Sequence, residues 1–302
     1  MIVFVTAEPV GFYHFNDSLR KELLKLDVKL FHLVPAGSEF SLLKNYFSVT
    51  EDINILAEAE VVIITGGFTS GWTRMIGLEA NRLGKKLIFI ELAYPGYSFE
   101  RNTDLEPVLD FAFVSSYETK ALVCKYFNLD NQKVKVIGLP MLDDVPIWVP
   151  SYERKILVAS SVSSELQDGG RILFDWAEEL VSSGWNVSIA LHPRENKIFW
   201  SGFDVLEGKT LDNAANTDLV VTYPGSILVP LGHMGVPTII PMFEAWLERM
   251  TPLNYLKSSY LIHDDIFMSV VNRIYNERKG SLQNFRVSNS VLFVNHLKTF
   301  LQ

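Results

Sequence analysis

Short, continuously apolar runs recur along the chain at Ile2–Thr6, Lys29–Val34, Val61–Thr65, Lys86–Glu91, Phe111–Ser115 and Lys133–Gly138, each spaced to leave room for one helix. Continuous rather than alternating apolarity marks strands covered on both faces, the condition of a parallel sheet. Between them, Ser18–Leu26 and Trp72–Leu83 space their apolar residues at the helical period. The pattern predicts a parallel α/β sheet with right-handed crossovers.

After Gly138 the rhythm stops in a segment carrying Pro140, Pro146 and Pro150, then restarts with Lys155–Ala159, Asn186–Leu191, Asp218–Thr222 and Thr238–Pro241. Helices are expected at Gly170–Ser183, after Ser226, and twice between Asp265 and Leu301. The chain therefore divides into a first domain, 1–145, a second, 152–287, and a terminal helix, 288–302. Ligand-binding loops of open α/β sheets lie at the carboxyl ends of the strands, which directs attention to the residues that follow each run.

Composition agrees with a large folded chain. With 302 residues, 48% of them apolar and 12% aromatic, there is material for two cores, and a disordered chain is excluded. A net charge of −8 argues against a nucleic-acid binder that neutralises phosphates. The single cysteine, Cys124, excludes an intramolecular disulfide framework and a cysteine-cluster zinc site, and fits a reducing cytoplasm. The apolar start Met1–Ala7 stops at Glu8 without a basic leader, so a cytoplasmic location is expected. Leu219–Phe243 lacks Asp, Glu, Lys and Arg over a membrane-spanning length, but its four prolines and three glycines break any such helix.

In the second half, the run Asp218–Thr222 leads into Gly225-Ser226, where glycine admits a close backbone approach and serine can cap the next helix, leaving N–H groups for an anion. The same residues also suit an ordinary strand-turn-helix connection. His192-Pro193-Arg194 follows the strand Asn186–Leu191, and imidazole and guanidinium both donate to phosphate. Ser160-Ser161 follows Lys155–Ala159 with small side chains that let a diphosphate approach or cap the next helix. In the first half, the loop Glu8–Asp17 offers His14 as a base, with Asp17, Glu8 and Glu91 as competitors. Gly66 and Gly67, followed by Trp72, suit a sugar platform or a plain glycine-rich turn. Dinucleotide, P-loop, zinc-protease and serine-hydrolase signatures are all missing, as is an Asp-x-Asp pair for a sugar-nucleotide metal.

The succession of strand, Gly225-Ser226 turn, short helix and Gly235-Val-Pro237 resembles the donor-binding core of glycosyltransferases with the two-lobed GT-B fold. Val136-Ile-Gly-Leu-Pro-Met-Leu-Asp143 is similar to the linker strand of these enzymes and of UDP-N-acetylglucosamine 2-epimerases. Gly11-Phe-Tyr-His14 resembles the Gly-His loop of inverting members, and His192-Pro193 a donor-phosphate contact of bacterial sialyltransferases. Phe243-Glu244 and Asn254 resemble the sugar-contacting segment after the last core strand. One position departs: Pro230 stands where the ribose-binding acidic residue usually lies.

The resemblance implies two Rossmann-like lobes facing a cleft, the first on the acceptor side and the second binding the donor, with the terminal helix packing back on the first. It implies donor contacts from Ser160, Ser161, His192, Arg194, Gly225, Ser226, Glu244 and Asn254, acceptor contacts from Gly66, Gly67 and Trp72, and catalysis by His14, Asp17 or Glu91. No cofactor or metal is expected. The partners would be a UDP-, GDP- or CMP-linked sugar and a glycan or lipid-linked acceptor, the latter placing the protein at the membrane periphery. The alternatives are a sugar-nucleotide epimerase or hydrolase, and a noncatalytic subunit of an active glycosyltransferase, which the loss of the acid at Pro230 favours.

Overall fold

The apolar runs become strands that lose both faces to packing. In the computed structural model, which describes residues 1–6, 17–37, 48–65, 71–91, 107–160, 169–192, 195–223, 225, 227–241, 259–262, 266–277 and 289–301, β1 (Ile2–Val5) and β4 (Val61–Thr65) are buried at every position. They lie side by side at the centre of a seven-stranded sheet. With β2 (Leu30–Leu33), β3 (Ser48–Thr50), β5 (Lys86–Ile90), β6 (Phe111–Val114) and β7 (Val134–Val136) the order is β3-β2-β1-β4-β5-β6-β7, every pairing parallel.

A second sheet repeats this order. β8 (Lys155–Ala159), β9 (Asn186–Ala190), β10 (Asp204–Leu206), β11 (Leu219–Thr222), β12 (Thr238–Pro241) and β13 (Ser259–Ile262) form six parallel strands in the order β10-β9-β8-β11-β12-β13. Two separate parallel sheets are what the interrupted strand rhythm predicts. The edge strands β3, β10 and β13 are additions to that prediction: β3 and β10 have three residues each and mix polar with apolar side chains, so they leave no apolar run to read.

The helices follow local chemistry. α1 (Asp17–Leu23) buries Leu19 and Leu23, and α2 (Ile55–Glu58) buries Leu56. α3 (Gly71–Arg82) turns Thr73, Ile76, Gly77 and Ala80 inward. α4 (Tyr117–Phe127) starts at the Ser116 cap, whose hydroxyl accepts the Thr119 N–H, and ends at Asn128 in the left-handed region. α5 (Gly169–Ser182) carries Leu173, Trp176, Ala177 and Leu180 on one stripe, and Trp176 stacks on Phe267 of α8 (Phe267–Glu277) at 4.1 Å. The short α6 (Thr210–Ala214) and α7 (Leu228–Met234) flank β11 in sequence.

The chain forms two compact units, Met1–Asp144 with Arg286–Gln302, and Val145–Phe285. The first is discontinuous because α9 (Asn289–Leu301) supplies Phe293, Val294 and Leu297 to the cluster of Ile2, Phe4, Ile63, Ile88, Ile90 and Phe113. Phe293 meets Phe113 edge-on at 5.0 Å. Asp143 caps this helix, its two carboxylate oxygens accepting the N–H groups of Asn289 at 2.8 Å and Ser290 at 2.7 Å. The Asn289 side chain donates to the Leu139 carbonyl and lies against Gly138, where an added Cβ would stand 2.4 Å from its Oδ1 and φ is +78°. Only glycine fits both demands.

The proline-rich segment is not a free linker. The Trp148 indole N–H donates to the Thr217 carbonyl at 2.7 Å, and the Val149 N–H to Ala215 at 2.8 Å, which seats these residues in the second unit. Asp218, fully buried at the amino end of β11, accepts from the Ser151 hydroxyl at 2.8 Å and from the N–H groups of Tyr152 at 2.8 Å and Lys155 at 3.0 Å. Asp110 does the same ahead of β6, accepting the Leu87 N–H at 2.8 Å. Removing the Asp218 carboxylate strands three donors, so Asp218→Ala should lower unfolding free energy by about 3 kcal/mol or more, and Asp218→Asn by less, in urea titrations. Equal midpoints for wild type and Asp218→Ala would remove the clasp from the account.

Candidate functional site

The strand order of the second sheet fixes where a site can form. The crossovers reverse direction between β8 and β11, and in open α/β sheets it is outside the carboxyl ends at such a switch point that ligands bind. Ser160 follows β8, His192 lies just beyond β9, and Tyr223 follows β11. The Ser160 N–H donates to the Ala190 carbonyl at 2.9 Å, and its hydroxyl accepts the His192 N–H at 2.9 Å. These two sequence-predicted residues are therefore brought together, with the serine oxygen holding the backbone of the histidine. His192 is half-buried, and its carbonyl accepts the Glu195 N–H at 2.8 Å, turning the chain after the strand. At the end of the neighbouring strand, the Thr222 hydroxyl donates to the Ala159 carbonyl at 2.9 Å and pins β11 to β8.

Gly225 is exposed, and a Cβ built on it would meet only the Tyr223 carbonyl oxygen at 4.0 Å. Among the described residues, nothing else comes within 4 Å of this position. The helix behind it is a weaker anion seat than the sequence suggests. Its N-cap position is Ile227 rather than Ser226 and makes no side-chain capping bond. The Leu228 N–H is taken by the Gly225 carbonyl at 3.1 Å, and Pro230, the buried third residue of α7, has no N–H at all.

In the first unit the corresponding edge carries a polar pair that the sequence does not reveal. The Thr65 hydroxyl donates to the Val5 carbonyl at 3.0 Å, which leaves the Thr6 hydroxyl to donate to Thr65 Oγ1 at 2.7 Å. Glu91 follows β5 and is 2% exposed. Its carboxylate accepts the Ser115 N–H at 2.6 Å and lies 3.5 Å from the Thr119 hydroxyl, at the amino end of α4. Burial pushes its pKa up to about 7 against the opposing pull of Ser115 and Thr119. Ser115 and Thr119 are partners that Ser115-Ser116 at a strand end followed by Thr119 would signal.

Asp17 is the first residue of α1, whose Ser18 is held by Asp144. Trp72 is the second residue of α3 and packs part of its ring on the core formed by Ile64, Ile76 and Leu87. His14, Gly66, Gly67, Ser161, Arg194, Ser226, Glu244 and Asn254 lie outside the described residues. Among the described residues, no group of three His, Cys, Asp or Glu side chains is placed to hold a metal ion, and no helix is long and apolar enough to cross a membrane.

No protein-family model matches the sequence, and a search of curated proteins finds no match. Solved structures do match, over the whole chain. UDP-GlcNAc 2-epimerase from Methanocaldococcus jannaschii superposes with a TM-score of 0.68 at 14% identity, covering 99% of both chains. MnaA of S. aureus, in a co-structure with UDP, gives 0.70 at 12% identity over 99% of this chain and 96% of that one. MurG of Acinetobacter baumannii gives 0.61 at 14% identity over 99% of both.

The chain has the GT-B fold. Pro230, the position at which the sequence departs from the resemblance, is a buried helix residue.

Glu91 predicts a pH dependence. Its pKa is raised on folding from 4.5 to about 7, so the stability it contributes is present below pH 4.5 and lost as pH rises through 7, on the order of 3 kcal/mol. Glu91→Gln cannot ionise and should gain on wild type by up to that amount between pH 4.5 and 7.5 in urea unfolding. Parallel curves over this range would place the carboxyl in a more solvated setting.

Proposed function

We propose that this GT-B chain is a glycosyltransferase that holds a UDP-, GDP- or CMP-linked sugar at the carboxyl edge of its second sheet and transfers the sugar to a glycan or lipid-linked acceptor. The observation that carries the reading is the Ser160–His192 pair at the carboxyl ends of β8 and β9, beside the β8–β11 crossover. A full-length likeness to structures solved with UDP supports the choice of ligand class.

In this reading His192 and Arg194 donate to the diphosphate or phosphate leaving group, Ser160 fixes the backbone that aims His192, and Gly225 with Ser226 admits the phosphates closely. Because α7 offers few free N–H groups, these side chains carry more of the leaving-group charge than the helix does. Glu244 and Asn254 contact the sugar, and Gly66, Gly67 and Trp72 the acceptor. His14 takes the proton of the attacking hydroxyl, with Asp17 and Glu91 as the other candidates. Glu91, half-ionised near neutrality, has the proton affinity that such a task needs. A lipid-linked acceptor would bring the enzyme to a membrane surface.

A second reading, a nucleotide-sugar 2-epimerase, is favoured by one observation: structures described as UDP-GlcNAc 2-epimerases superpose at 0.63 to 0.68, against 0.55 to 0.61 for MurG and two glycosyltransferases. Turnover of a UDP-sugar without acceptor would select it.

Thermal-shift screening with UDP, GDP and CMP should find one nucleotide that raises the melting point. By calorimetry, His192→Ala should then weaken that nucleotide by about 1.5–3 kcal/mol, ten- to a hundredfold. An unchanged Kd would make the histidine structural, and no nucleotide binding at all would favour a noncatalytic subunit.

A further inference from the structure

Glu91, the first residue beyond β5, is buried with its carboxyl between two donors. Oε2 accepts the Ser115 N–H at 2.6 Å, and Oε1 lies 3.5 Å from the Thr119 hydroxyl that donates to it. Thr119 is in turn held by Ser116, the N-cap of α4. The Ser116 hydroxyl oxygen accepts the Thr119 N–H at 3.1 Å, and the two hydroxyl oxygens lie 3.2 Å apart, where either can donate. Three buried groups, Glu91, Thr119 and Ser116, thus form one chain. The cap itself needs only the backbone N–H of the third helix residue, so the threonine hydroxyl is spare to the helix and bonds to the acid instead.

The two states of a carboxyl make opposite demands: the ionised form only accepts, whereas the protonated form must also donate. With Glu91 ionised, Ser116 donates to Thr119 and Thr119 to Oε1. With the proton on Oε1, the carboxyl donates to Thr119, and Thr119 turns to the second lone pair of the Ser116 oxygen. Only the outermost proton, that of Ser116, must then change partner, and Ser116 is the most exposed of the three at 7%. A hydroxyl that gives and accepts satisfies the buried acid in both states, where an N–H or a carbonyl would serve just one. Burial holds the proton on Glu91, and Ser115 and Thr119 oppose it; among the described residues no charged side chain acts on this balance, and Glu118 of the same helix is exposed.

We propose that Thr119 is a positioning residue for proton transfer by Glu91: backed by Ser116, its hydroxyl donates to the carboxylate before Glu91 takes the proton of the attacking hydroxyl, and accepts from the carboxyl afterwards. This rests on the reading of Glu91 as one of the groups that take that proton.

The test compares wild type, Thr119→Val, Thr119→Ser, Glu91→Gln and the double variant Thr119→Val with Glu91→Gln in the full chain. Urea unfolding against pH comes first, then turnover of the sugar carried by whichever nucleotide raises the melting point. Valine keeps the shape and removes the hydroxyl. Losing a donor to the charged form raises the proton affinity of folded Glu91, so the stability that Glu91→Gln gains on its parent should go on growing to higher pH in the Thr119→Val background than in wild type. In turnover, Thr119→Val should fall about three- to tenfold at about pH 6 and stay within about twofold at about pH 8.5, with KM within about twofold at both, and Thr119→Ser should recover the wild-type profile. A loss equal at both pH values makes the hydroxyl structural and overturns the proposal, as does a pH dependence of stability that Thr119→Val leaves unmoved. Wild-type turnover in Glu91→Gln overturns the proposal and leaves the transferase reading with His14 or Asp17 as the base. A wild type that binds nucleotide and turns over no nucleotide sugar overturns both.

Discussion

Strands that are covered on both faces have no room for chemistry along their length. β1, β4, β11 and β12 are buried at every position, so a polar side chain can be accommodated only where the strand ends. The two ends have been put to different uses. At the amino ends, Asp110 and Asp218 tie their carboxylates to the backbone of a neighbouring strand's start. At the carboxyl ends, hydroxyls tie neighbouring strands to each other, Thr65 to Val5 in one sheet and Thr222 to Ala159 in the other. The amino edges are thus held by acids bonded to backbone N–H groups, and the carboxyl edges by hydroxyls bonded to backbone carbonyls, with the buried Glu91 beside them in the first sheet.

A second consequence is that the first unit cannot be completed by residues 1–144 alone. Its sheet presents Ile2, Phe4, Ile63, Ile88 and Phe113 on one face, and the last helix, 289–301, covers it with Phe293, Val294 and Leu297 beside Leu19 and Leu23 of α1. Consecutive aspartates make that arrangement specific. Asp143 takes the start of α9 and Asp144 the start of α1, so one short turn registers the first and the last helices of the chain against each other. Apolar burial supplies most of the free energy, but the directional bonds choose where along the sheet each helix begins.

This division between apolar and directional terms also sets what could be read from the sequence. The central strands, α3, α5 and the two last helices were legible because each carries a period of burial over enough residues to be counted. The edge strands Ser48–Thr50 and Asp204–Leu206 were not, since a three-residue strand paired on one side has no period. Of the site, the strand-end positions of Ser160, His192 and Glu91 followed from the strand assignment alone. The bond from His192 to Ser160, the cap on Ser18 by Asp144 and the fit of Gly138 to Asn289 join residues 32, 126 and more than 126 positions apart, and no local pattern encodes them. The serine expected to cap α7 illustrates the opposite error: Gly225-Ser226 has cap chemistry, yet the N-cap falls one residue later, at Ile227, and the helix starts at Leu228, which puts Pro230 at its third position, where it forfeits no intrahelical bond.

The two sheets differ in the polar groups they carry at their carboxyl ends. At the first sheet, the amino end of α4, the place where a helix dipole would receive a phosphate, is already filled by the carboxylate of Glu91 accepting the Ser115 N–H. A phosphate brought there would meet a buried acid that burial has already made reluctant to ionise, and its own charge would raise that reluctance further. At the second sheet, the residue directly beyond β8, Ser160, instead offers a hydroxyl that accepts the His192 N–H. Similar strand orders thus carry different groups at their carboxyl ends: a buried acid that burial holds back from ionising after β5, and a hydroxyl bonded to a neighbouring strand's backbone after β8. The same backbone could host either arrangement. What separates them is which side chain the chain places one residue beyond a buried strand.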